Sequence, residues 1–108
     1  MFTGSLVLDV LLGDVRSLKD KRAVVRPLVA ELRRRYAVSA AEVGDADLLR
    51  RAEIGVAVVA GGAGHVTEVL DACERLVAGR PELEMLSARR QLIRDTDQDD
   101  PGEYATDG

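Results

Sequence analysis

Two stretches of this chain carry apolar residues at helical spacing, and each is bracketed by stretches in which apolar residues alternate or run together. Residues 2–12 alternate: Phe2, Leu6, Leu8, Val10 and Leu12 share one face, and Thr3, Ser5 and Asp9 share the other with Val7 and Leu11. Gly13-Asp14 breaks that strand. Ser17 is placed to cap a helix, with Asp20 as the acidic partner three residues on, and Leu18, Val25, Leu28, Val29, Leu32 and Tyr36 then recur at helical spacing. Residues 37–43 read as a short strand and Gly44 to Asp47 as a turn, with Leu48 to Arg51 either one helical turn or an irregular crossing. Glu53 to Ala60 reads as a central strand. After Gly61 to Gly64, a second helix from about His65 to Ala78 buries Val66, Val69, Leu70, Cys73, Leu76 and Val77 and stops at Gly79, before Pro81. Residues 82–94 form a last strand whose Glu84, Arg89, Arg90 and Arg94 suit a sheet edge.

Strand, helix, strand, strand, helix, strand is the element order of an α+β, ferredoxin-like sandwich, with two helices on one face of a four-stranded antiparallel sheet. Its other sheet face would be open. A chain of 108 residues has room for one such domain, here 1–94, followed by an acidic tail, 95–108, too poor in apolar residues to order itself. Aromatic residues make up only 3% of the chain, so the core must be aliphatic. A small core is marginal, which makes homo-oligomerisation through the open sheet face, with Val7 and Leu11, a reasonable expectation.

The formal charge of −4 conceals an uneven distribution. The tail holds six acids and no base, so residues 1–94 carry a net charge of +2, and residues 16–35 hold eight bases against Asp20 and Glu31. At about 100° per residue, Lys19, Arg22, Arg26 and Arg33 fall within an arc of roughly 60° beside the apolar stripe. Clustered flexible cations can contact phosphate, with Lys21, Arg50 and Arg51 as candidate additions, although charge runs also serve simply to solvate a helix. Lys21 projects toward the apolar side, where it could instead pair with an acid at the sheet edge. Pro27 is expected to kink the helix or restart it, because proline removes a hydrogen bond.

No other group of residues assembles a site. Gly61 to Gly64 lacks both the dinucleotide fingerprint and the lysine of a phosphate loop, so a flexible connection is the simpler reading. His65 has no companion ligands, and Cys73 at helix-core spacing reads as buried and inert. A small enzyme or metabolite sensor would have to use Glu42, Asp45, Asp47 and Glu53, which have no diagnostic metal spacing. No catalytic set, metal or cofactor is expected. A single cysteine fits a reducing compartment, no run approaches the ~20 apolar residues of a membrane span, and a cytoplasmic location follows.

Ser17-Leu18-Lys19-Asp20-Lys21-Arg22, Leu32 to Ser39, Ala41-Glu42-Val43, Asp47-Leu48 and Arg51 to Val59 together resemble the YlxP-like family of small bacterial proteins of unknown function. The resemblance covers roughly 1–94. It implies a ferredoxin-like fold, and a gene neighbourhood of translation initiation and ribosome maturation, including ribosome-binding factor A. Pro27 and Gly61 to Gly64 depart from the family's usual polar residues. The expected function is a non-catalytic RNA- or ribosome-associated module using the basic helix edge, with an acidic tail able to compete for that edge. The alternative is a protein interaction or homodimerisation module using the open sheet face.

Overall fold

In the computed structural model, residues 1–95 are described. They form β1 (Phe2–Leu12), α1 (Leu18–Arg35), β2 (Ser39–Glu42), β3 (Arg51–Ala60), α2 (Ala63–Ala78) and β4 (Leu83–Arg94). The sheet order is β2-β3-β1-β4 with every neighbouring pair antiparallel, so the fold is the expected α+β sandwich. The proposed tail, 95–108, lies outside the described residues except for Asp95, whose amide donates to the Met1 carbonyl.

Alternation in β1 becomes the two faces of the sheet. Leu6, Leu8, Val10 and Leu12 are buried with Ala52, Ile54, Val56 and Val58 of β3 beneath the helices, while Ser5, Val7, Asp9 and Leu11 are only partly covered. Val25, Leu28, Val29 and Leu32 close the core from α1, and Val66, Leu70, Cys73 and Val77 close it from α2. Gly4 lets α2 approach closely: a Cβ there would lie 2.3 Å from Val66 Cγ1. Burial pushes the Cys73 thiol up, consistent with an inert core residue.

Some boundaries differ from the sequence reading. The Val38 amide donates to the Tyr36 carbonyl (2.8 Å), a tight turn that delays β2 to Ser39. Residues 48–50 take the irregular alternative, after an Asp45 carboxylate accepts from the Asp47 amide (2.9 Å). Pro27 neither splits nor restarts α1, which is assigned as one continuous helix. Pro27 and Ala23, one turn earlier, are both exposed, so the carbonyl that loses its donor lies on the wet side, where water can serve it. Ser17 Oγ accepts from the Asp20 amide (3.0 Å), and the Asp20 carboxylate reaches back one residue farther than in a capping box, to the Arg16 amide (3.1 Å).

Both sheet edges are guarded. Val10 pairs with Met85 and Asp9 with Ser87, leaving Leu86 as the extra residue of a bulge in β4, whose outer half carries Arg89, Arg90 and Arg94. On β2, Arg33 Nε donates to the Ala40 carbonyl (2.9 Å).

Gly61, Gly62 and Gly64 have open space where a Cβ would stand, and no described glycine has positive φ. Gly64 lies in the first turn of α2, so Gly64→Ala should stabilise the protein by about 0.5–1 kcal/mol. Thermal unfolding monitored by circular dichroism would register this as a higher Tm.

Candidate functional site

The candidate cations separate into three groups. Lys19, Arg22 and Arg26 are exposed along the side of α1 that faces β2, and none has an acidic partner among the described residues. Arg33 continues the row, but its Nε is held by the Ala40 carbonyl. Arg26 and Arg33 form the lip of an open cleft of about 310 Å³ between α1 and β2, floored by Val25, Val29, Ala41 and Glu42. Several cations elsewhere are paired, whereas Arg34, Arg50, Arg75 and Arg94 lack an acidic partner among the described residues but lie apart from this row. Arg35 and Arg80 both meet Glu31, Arg89 meets Glu53, and Arg90 meets Asp71 and Glu74.

Lys21 is corrected from a surface contact to an internal one. It is 2% exposed, and Nζ donates to the carbonyls of Ala46 (3.0 Å) and Leu48 (2.6 Å) while lying 2.9 Å from Glu42 Oε2. The Glu42 contact is an ion pair without hydrogen-bond alignment, so charge and proximity hold it. Lys21 occupies the apolar side of α1 that Val25, Leu28 and Leu32 continue as buried residues, and the pairing with an acid at the sheet edge considered from the sequence is what the fold makes. Its ammonium also neutralises the one carboxylate facing the Arg26 and Arg33 cleft.

Arg50 and Arg51 do not extend the row. Arg51 lies on the open sheet face, bound to Asp9 through Nε (3.2 Å) and a terminal nitrogen (2.6 Å), a pairing that raises its pKa further. Arg50 Nε donates to the Leu12 carbonyl (3.2 Å) at the end of the sheet, beside Glu82 and Glu84. The carboxylates considered for an enzyme or sensor diverge as well. Glu42 is in register with Ile54 on the helix side, Glu53 pairs with Arg89 on the open side, and Asp45 and Asp47 are exposed. Among the described residues, no three His, Cys, Asp or Glu side chains converge on a point that could hold a metal ion.

What α1 and its surroundings offer is therefore a short row of free cations on a rigid helix. Residues 3–90 match the protein family described as protein of unknown function DUF503. The chain belongs to the DUF503 family. It is also 26% identical over 83 residues to the uncharacterized protein YlxP of Bacillus subtilis (strain 168), a match spanning 77% of this chain and 90% of that one. The YlxP resemblance in the sequence is thus borne out. Membership in DUF503 carries no assigned activity. No described helix is long and apolar enough to cross a membrane.

The Lys21 latch is only partly visible in the sequence. Its helical position signalled burial, but two of its three partners are loop carbonyls, which have no sequence signature.

Proposed function

We propose that the protein is a non-catalytic module that associates with RNA or the ribosome through the α1 edge, using Lys19, Arg22 and Arg26, with the terminal nitrogens of Arg33. The observation that carries this reading is that Lys19, Arg22 and Arg26 share one arc of one helix without acidic partners, when seven other cations of the described chain each have a carboxylate within ion-pair distance and Arg34, Arg50, Arg75 and Arg94, which also lack one, do not share that arc. Solvated cations release counterions when they meet phosphates, and a helix holds them at fixed intervals over about 21 Å from Lys19 to Arg33. With aromatics at 3% of the chain, stacking on bases has little to work with. The contacts would orient the protein on an RNA backbone and leave sequence to other components.

The test is a salt series of binding to structured RNA and to ribosomal subunits. Three or four phosphate contacts predict a log–log slope of about −3, and Arg22→Gln or Arg26→Gln should each reduce its magnitude by about one. Affinity should fall alike for unrelated sequences. Binding that ignores salt, or slopes unchanged in both variants, would remove the reading. Deleting residues 96–108, which hold five acids, should raise affinity at low salt if the tail competes for the edge.

A further inference from the structure

The geometry points to a second copy of this chain as the occupant of the open sheet face, packed face to face about a two-fold axis. The face contains a hollow and its complement. An open depression of about 330 Å³ lies over Ser5, Ser39, Ala41, Gly55 and Ala57, walled by Val43. Its floor is flat because the cross-strand rows Ala41, Gly55 and Val7, and Ser39, Ala57 and Ser5, supply mostly small side chains. One row farther along, Val59 and Ile93 flank Thr3 on the same face and are 61% and 51% exposed. Hollow and knobs are about 7 Å apart along the strands. A two-fold axis between them seats each subunit's knobs in the other's hollow, as an isologous contact requires.

Three observations favour this occupant. Beyond the hollow, Arg51 pairs with Asp9 and Arg89 with Glu53, which leaves Glu84, at the far end beside Leu11, as the face's one described charge outside an ion pair, so the face carries no cationic excess to attract a polyanion. Strand addition is obstructed by the Leu86 bulge and arginines on β4 and by Arg33 on β2, which leaves the face as the unguarded apolar surface of the sheet. Area is adequate too. Three strands of 11, 10 and 12 residues with the four-residue β2 cover on the order of 600 Å² per subunit, or about 1,200 Å² in a pair, the lower end of stable specific interfaces.

The experiment is sedimentation equilibrium of the full chain with Val59→Glu, Ala57→Arg and, as a control outside the face, Leu48→Glu. Positions 57, 59 and 48 are exposed, and circular dichroism verifies that each variant keeps its fold. We expect a dimer whose dissociation constant rises at least ~tenfold with Val59→Glu and with Ala57→Arg, because each places an unpaired charge at two sites related by the axis. Leu48→Glu and the double variant Arg22→Glu, Arg26→Glu should leave it unchanged. A wild-type chain that stays monomeric at all concentrations, including one that instead binds a different protein, overturns the inference. So does a dimer indifferent to both face substitutions, or one that the control disrupts equally.

Discussion

Replacing Lys21 with Met should destabilise the protein by about 3–5 kcal/mol, seen as a lower urea midpoint with an unchanged slope. The substitution keeps the length of the side chain and removes the ammonium. Glu42 Oε2 is then left buried without its counter-charge, and the Ala46 and Leu48 carbonyls lose their donor. Because those carbonyls belong to the connection between β2 and β3, amide exchange in residues 45–49 should accelerate beyond the global change. Adding Glu42→Gln to Lys21→Met should recover part of the loss, since the orphan charge goes with it. A loss below about 1 kcal/mol would mean that water replaces the ammonium, and the latch would be of little consequence.

A second large effect is expected at the opposite end of the sheet. Gly4→Ala should cost about 2 kcal/mol, because its Cβ would overlap Val66 Cγ1 and approach Leu70 Cδ1 to 3.0 Å. Val66 is β-branched and helical, so it has essentially one rotamer and cannot swing aside. The whole helix must shift instead. Val66→Ala should therefore rescue Gly4→Ala: in a double-mutant cycle by urea unfolding, the two costs together fall below their sum. Strict additivity would show that α2 has room to move away from β1.

Much of this architecture was legible because its causes are local. Period-two alternation in β1, helical spacing in α1 and α2, and Gly79 before Pro81 each reflect one element meeting one core. The parts that escaped depend on who meets whom. Pro27 looked disruptive in a one-dimensional pattern, yet on the solvent side of α1 the helix passes through it. Arg50 and Arg51 looked like additions to a basic patch, but β3 carries Arg51 to the other side of the sheet and pairs it with Asp9, a residue 42 positions away. Lys21 lies in the same run of charge as its neighbours, and its angular position, which points it to the apolar side, is the one sign in the sequence that separates it from them. Leu11 shows the limit at the open face, since it is in register with Arg51 and Glu84, at the charged end of the face and away from the hollow.

The helices and the open face lie on opposite sides of one sheet, and this arrangement has a consequence for valency. In a pair joined through sheet faces, both α1 edges are outermost, separated by about 30 Å across two sheets and two helix layers. One RNA duplex lying along one edge cannot also lie along the other. Such a pair would gain no avidity from a single short duplex and would instead bridge two RNA segments, so that mixing with long RNA should yield cross-linked assemblies where a monomeric face variant yields none.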